Sequence, residues 1–244
     1  MKRFGIIGCP VAGSMSPVLF TAAYEGRYPY DLIEEAGFEA AWKRFLDGYE
    51  GVNVTAPFKQ LAFERADKAS EATTRCQAAN LIVKTAGGLA AYNTDVAGVL
   101  ESLRPEVQSG QKALVVGAGG AARAAIVAAQ TLGLEVTVAG RTPSKTKALG
   151  EELGCRAIGL EEARLETPDA LVYTLPGGAP VPEGLPLARA IVLEAEYKKP
   201  QLAGIPCRKY LSGRLWLVHQ ALAGYQLFTG EEPSATNIWK TINP

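Results

Sequence analysis

Short apolar runs bounded by glycine, proline and serine alternate along this chain with longer stretches of helical periodicity. Residues 4–7 read as a first strand, followed by a Gly/Pro/Ser turn and a helix beginning near Pro17. Proline suits a first helical turn, where its missing N–H leaves no bond unmade. Residues 30–34 and 51–55 read as further strands, with short helices over 38–46 and, after the Ala56–Pro57 break, 61–66. Residues 79–84 and 89–92 read as a strand pair around Gly87–Gly88, and a helix follows over 95–103. Beyond Arg104–Pro105 the rhythm becomes a regular run of strand–helix units. Strands are expected over 112–116, 135–139, 155–158, 170–174 and 190–194, with helices over 121–132 and 143–153 and a last helix over 215–228. Alternation of this kind predicts an α/β protein, and consecutive strand–helix units predict an open, doubly wound parallel sheet in the second half.

Composition narrows the function classes. The chain has 244 residues, room for one large or two small domains. Its 25 basic and 25 acidic residues cancel, and no dense basic run occurs, so nucleic-acid binding through a broad charged footprint is not expected. No apolar run reaches the roughly 18 residues of a membrane-spanning helix. The N-terminal apolar stretch is too short for a signal sequence, so a cytoplasmic protein is expected. Cys9, Cys76, Cys155 and Cys207 are scattered with no C-x-x-C pair, which argues against a zinc site, and no metal is expected. His219 is the single histidine and lies in an apolar helical run, where a packed imidazole is the simple explanation.

The clearest local motif is Gly117-Ala118-Gly119-Gly120-Ala121-Ala122, a G-x-G-x-x-A pattern directly after a strand and directly before a helix. Gly117 permits the tight turn, Gly119 lets the backbone approach a pyrophosphate, and the helix N-terminus offers its free N–H groups. The second half is therefore expected to be a Rossmann dinucleotide-binding domain. NAD sites place a carboxylate at the end of the next strand; here that strand ends in Gly140-Arg141-Thr142-Pro143-Ser144-Lys145. Arg141 offers a planar fork to a 2′-phosphate, Lys145 adds a second cation, and Thr142 and Ser144 are candidate hydroxyl donors. NADP(H) is expected over NAD(H).

Three polar clusters stand in the first half: Ser14-Met15-Ser16-Pro17, Asn53-Val54-Thr55-Ala56-Pro57-Phe58-Lys59, and Asn93-Thr94-Asp95. Singly, each has a plain alternative: a capping serine, a surface lysine, a helix-capping aspartate. Together with Asn80, the glycine turn, Gly140-Arg141-Thr142 and Gln220, their order and spacing resemble the shikimate dehydrogenase family over essentially the whole chain.

The resemblance implies a two-domain enzyme reducing 3-dehydroshikimate to shikimate with NADPH, reversibly, in chorismate and aromatic amino-acid biosynthesis. It implies a small mixed-sheet substrate domain over residues 1–95, completed by a C-terminal helical segment over 214–244, and a Rossmann NADP domain over 96–213. Lys59 and Asp95 would form the catalytic pair. Ser14 and Ser16 would bind the substrate carboxylate, and Tyr197 would reach the same end. Thr55, Asn80 and Gln220 would bond the ring hydroxyls and reacting oxygen. Gly117, Ala118, Gly119, Gly120, Ala121, Gly140, Arg141, Thr142 and Lys145 would hold the cofactor, and Gly213 would lie against the nicotinamide. A monomer or homodimer working on small molecules is expected, with neither nucleic acid nor membrane as partner.

The chain departs from the family pattern in places. Gly13 stands where His usually precedes the first serine, and Gly140 where the family has Asn. Leu81 follows Asn80 in place of Thr, Glu194 takes the place of Asp in D-x-x-Y, and Trp216 replaces a common Met. A quinate-using or NAD-using relative, a non-catalytic nucleotide-binding module and a folate-type dehydrogenase of similar shape remain alternatives; intact Lys59 and Asp95 favour an enzyme, and the hydroxyl-rich first half favours a polyol acid.

Overall fold

The computed structural model describes residues 1–242, which contain two compact units, Met1–Thr94 with the chain from Gln220 onward, and Asp95–His219. The division falls inside two helices, α5 (Thr94–Leu103) and α8 (Gly213–Thr229).

The first unit is built on a six-stranded mixed sheet of order β2-β1-β3-β5-β6-β4. The strands are β1 (Phe4–Gly8), β2 (Tyr30–Glu34), β3 (Gly51–Val54), β4 (Lys68–Ala69), β5 (Leu81–Thr85) and β6 (Gly88–Tyr92). β1 runs parallel to β2 and β3, while β5 pairs antiparallel with β3 and with β6. Every residue of β1 and β3 is buried, as expected of strands covered on both faces. α2 (Phe38–Gly48) lays Phe38, Ala41, Trp42 and Phe45 against Ile7, Ile33, Val52 and Val54; its apolar residues recur at helical spacing, which selects this face.

An aromatic cluster joins β1, α1 (Ser16–Tyr24) and the C-terminal half of α8. Phe4 stacks on Phe228 with ring centroids 5.1 Å apart, and Phe20 meets Tyr225 edge-on at 4.9 Å. α9 (Ala235–Ile242) packs on α1.

The second unit holds a six-stranded, wholly parallel sheet of order β12-β11-β10-β7-β8-β9. Its strands are β7 (Lys112–Val116), β8 (Glu135–Gly140), β9 (Arg156–Gly159), β10 (Ala170–Tyr173), β11 (Ile191–Glu194) and β12 (Lys209–Leu211). This is the doubly wound order, reversing direction between β7 and β10. α6 (Gly120–Thr131) and α7 (Pro143–Leu153) make the first two crossovers, held together where Arg123 clasps Glu152 through two 2.6 Å hydrogen bonds. Six alanine, valine and isoleucine side chains of α6 between Ala124 and Ala129 are buried, a small-residue surface that lets the helix lie close to the sheet.

Several elements differ from the sequence expectation. The last crossovers carry no α-helix: β9 leads into a 3-10 turn (Leu160–Leu165), and 174–190 is irregular because Pro176, Pro180, Pro182 and Pro186 interrupt it. Gly177, Gly178 and Gly184 weaken a helix there further. The short α4 (Glu71–Cys76), capped by the Ser70 hydroxyl on the Thr73 N–H, was not legible, nor were the two- and three-residue strands β4 and β12. α3 starts at Lys59 rather than 61, and β5 at Leu81 rather than 79. Among the described residues no helix is long and apolar enough to cross a membrane.

Phe228 ties α8 to β1, so Phe228→Ala is expected to cost about 3–5 kcal/mol. The urea midpoint followed by circular dichroism should fall by about 1–2 M; an unmoved midpoint would show that the ring contributes little to the core.

Candidate active site

In the first unit the predicted residues gather at the ends of β1, β3 and β5. The chain leaves β3 through Thr55, whose N–H donates to the Ile7 carbonyl at 2.9 Å, and turns so that Lys59 opens α3 (Lys59–Glu64). The Lys59 carbonyl accepts the Ala79 N–H at 2.8 Å, which joins the lysine's backbone to the segment carrying Asn80. That bond also draws Ala79 out of the sheet and explains the late start of β5. Lys59 and Thr55 are half-buried.

Asn80, 4% exposed, is the hub. Its Nδ2 donates to Thr94 Oγ1 at 3.0 Å and to Gln220 Oε1 at 3.3 Å, and its Oδ1 accepts the Thr94 N–H at 2.7 Å. Its backbone carbonyl accepts Asn53 Nδ2 at 3.2 Å, and Asn53 Oδ1 accepts the Tyr30 hydroxyl at 2.6 Å. Tyr30 is held neutral: burial first, then the neighbouring Tyr225, pushes its phenol well above the ordinary range. Ser14 Oγ donates to Ser16 Oγ at 3.1 Å and accepts the Ser16 N–H, fixing both hydroxyls at the start of α1. The Ser16 carbonyl accepts the Tyr225 hydroxyl at 3.1 Å. Asn93 donates to the Ala78 carbonyl at 2.7 Å, while its buried Oδ1 has no partner among the described residues.

This network is made of amides and hydroxyls, groups that both donate and accept, and it suits a ligand bearing several hydroxyls. It brings Asn80 and Gln220 into direct contact, as well as Ser14 and Ser16. Asn53, Tyr30, Thr94 and Tyr225 were not assigned from sequence. The alternation of Asn53 with Thr55 on one strand face is the available signal for the first; the tyrosines stand in no polar cluster of the sequence.

In the second unit the glycine turn follows β7. Gly117 takes φ +125°, a conformation that side chains rarely adopt, and a Cβ there would strike the Thr174 hydroxyl. Gly119 is exposed and a Cβ there would meet nothing within 4 Å, so the N-terminal turn of α6 is open to a ligand. Ala118, Gly120 and Ala121 are half-buried around it. Gly140 is buried at the end of β8, with the Thr146 side chain against its Cα; Thr146 Oγ1 donates to the Thr142 carbonyl at 3.0 Å. Arg141, Thr142 and Lys145 are exposed, and among the described residues neither cation takes part in a salt bridge. A bare turn, an open helix N-terminus and two available cations fit a dinucleotide carrying an extra phosphate.

Asp95 lies in the first turn of α5, 9% exposed, and accepts the Trp216 indole N–H at 3.3 Å. Tyr197 belongs to the strap that leaves β11, with the Lys198 ammonium 5.6 Å from its ring centre. Glu194, fully buried, closes this strap. Its carboxylate accepts the Gln201 N–H at 2.6 Å, the Leu202 N–H at 3.1 Å and the Tyr210 hydroxyl at 2.8 Å. Burial and that bond push the Tyr210 phenol far up. Glu196 works against burial to stay below the usual carboxylate range, because the N–H groups of Lys198, Lys199 and Gly177 bond its charged form. Gly213 approaches the same backbone so closely that a Cβ would sit 2.6 Å from the Ala195 carbonyl oxygen. His219 is half-buried, and burial lowers its pKa despite the opposing charge of Glu101.

Replacing Glu194 by Gln turns an NH₂ toward groups that themselves donate. Glu194→Gln is expected to destabilise the protein by about 1–3 kcal/mol, read as a lowered melting temperature, with Glu194→Asp intermediate.

A family profile for the shikimate dehydrogenase substrate binding domain matches residues 6–82. A shikimate dehydrogenase (NADP(+)) of Thermus thermophilus is 34% identical over 257 residues, covering 98% of this chain and 96% of its own. The crystal structure of shikimate 5-dehydrogenase from another strain of that species, in complex with NADP(H) and shikimate, matches with a TM-score of 0.84 at 32% identity, covering 100% of this chain and 99% of that one. Shikimate dehydrogenase from Aquifex aeolicus matches with a TM-score of 0.89 at 27% identity, over 100% of this chain and 98% of that one. With a relative this similar over nearly its full length, the chain belongs to the shikimate dehydrogenase family.

Proposed function

We propose that this protein catalyses the reversible NADPH-dependent reduction of 3-dehydroshikimate to shikimate, within chorismate and aromatic amino-acid biosynthesis. The observation that carries the reading is similarity across the whole chain to an enzyme solved with NADP(H) and shikimate. A cytoplasmic setting and a monomer or homodimer belong to the same reading.

NADPH, when bound, supplies the hydride. The ketone oxygen then gains negative charge and must receive a proton, and the Lys59 ammonium is the donor. Asp95 is its partner in the pair and orients it. Ser14 and Ser16, already turned toward one another, bind the substrate carboxylate, with Tyr197 at the same end. Asn80 and Gln220 are preset by their mutual hydrogen bond and, with Thr55, orient the ring hydroxyls and the reacting oxygen. Such pre-positioning lowers the ordering cost of the reactive geometry. Arg141 and Lys145 would take the 2′-phosphate of the cofactor, with Thr142 beside them; the glycine turn would take the pyrophosphate, and Gly213 would lie against the nicotinamide.

Absorbance at the reduced-nicotinamide band tests the reading: shikimate with NADP⁺ should give rapid NADPH formation. Turnover mainly with quinate and NAD⁺ would overturn both the substrate and the cofactor assignment. Lys59→Ala is expected to lower kcat by about 10²–10⁴-fold with its melting temperature little changed; near-normal kcat would remove Lys59 from the mechanism. Arg141→Ala should raise KM for NADPH by about tenfold or more while changing KM for NADH far less, and equal changes for both cofactors would refute its assignment to the 2′-phosphate.

A further inference from the structure

The carboxylate of Asp95 and the indole of Trp216 form a pair enclosed within the second unit. The Trp216 Nε1–H donates to Asp95 Oδ1 at 3.3 Å, and the two residues are 5% and 9% exposed for Trp216 and Asp95 respectively. They stand 121 positions apart, each in the first turn of its own helix, α8 and α5. Shielded from water, a hydrogen bond to an ionisable group counts for more than it does on a surface.

Gly98 makes the approach possible. It follows Asp95 by three positions and so shares its face of α5. A Cβ there would lie 2.8 Å from the Trp216 carbonyl oxygen and 2.9 Å from its Nε1, and closer still to Cδ1. The bare backbone at 98 therefore receives the edge of the indole that carries the N–H. Three features converge on one arrangement: a donor edge, a glycine-shaped seat for it, and a carboxylate one turn back along the same helix.

We propose that Trp216 is a positioning residue for the proton-transfer step: its indole N–H holds Asp95 Oδ1, which fixes the rotation of the carboxylate and assigns Oδ2 to the reacting side. A carboxylate in a first helical turn has competing partners in the unbonded N–H groups of that turn, and rotation toward them would withdraw it from the reaction. The indole opposes that rotation. The proposal rests on the reading of Asp95 as the partner of Lys59.

The test is a double-mutant cycle with Trp216→Phe, which keeps an aromatic ring and removes the N–H, and Asp95→Asn. Trp216→Phe is expected to lower kcat by about tenfold while leaving KM for shikimate and NADP⁺ essentially unchanged. On the Asp95→Asn background it should cause no further loss. Wild-type kcat in Trp216→Phe, or the same fold-loss on both backgrounds, overturns the proposal. In the otherwise unaltered protein, the Trp216 indole ¹⁵N–¹H resonance should move when Asp95 becomes Asn; an unmoved resonance also overturns it, whether or not Trp216→Phe folds. Wild-type turnover by Asp95→Asn overturns the catalytic reading of Asp95 itself, whereas loss in Asp95→Asn without loss in Trp216→Phe overturns only the role of Trp216.

Discussion

A buried carboxamide has to find partners for two N–H donors and a carbonyl oxygen, and in the first unit that requirement falls on Asn80. Thr94 and Gln220 meet it: one at the entry to α5, the other in α8, 140 positions from Asn80 in sequence. The Asn80 backbone carries the constraint onward, since its carbonyl takes both the Val54 N–H and the Asn53 side chain. An unmet polar group at this depth costs about 1–3 kcal/mol, so these segments are held to one geometry. Gln220 bonds Asn80 directly, Thr55 follows Val54, whose N–H meets the Asn80 carbonyl, and Lys59 joins the same segment through its own carbonyl and the Ala79 N–H.

The second unit solves a different problem by similar means. A parallel sheet ends with its chains pointing the same way, and in this sheet the chain leaving β10 and β11 has no helix to lean on. The strap after β11 is held by two carboxylates accepting backbone N–H groups, Glu194 at the end of the strand and Glu196 within the loop. The glycine turn after β7 depends instead on what it lacks, since a Cβ on Gly117 would strike the Thr174 hydroxyl, and the start of α8 likewise lies against the strap because Gly213 has no Cβ to meet the Ala195 carbonyl. Glu194, fully buried at the strand end, meets two N–H groups and a phenol with its carboxylate.

Strand periodicity, helix starts and the glycine turn were legible because they depend on neighbours a few positions away. The central strands were read within a residue or two, and the parallel half was recognisable from its repeating units. Elements of two or three residues were not, since β4 and β12 exist only where a long strand offers them an edge. The helix at 71–76 had a local signal, Ser70 followed by a run of helix-compatible residues, but too few apolar positions to show a period. The missing crossover helices could be anticipated from the prolines between 176 and 186, a signal weaker than the strands on either side.

The sequence by itself determined the α/β class, the dinucleotide turn, the absence of an acidic residue after β8 and the identity of the polar residues available for chemistry. These follow from residue type and short-range spacing, which act before any long-range contact forms. Only the tertiary structure decided which of those residues meet. Tyr30 on Asn53, Gln220 on Asn80, Tyr225 on Ser16 and Trp216 on Asp95 are pairings across 23, 140, 209 and 121 positions. Each partner, taken alone, is an ordinary strand or helix residue. Such contacts are set by sheet register and helix packing, and those depend on the burial of the whole core rather than on any local stretch of chain.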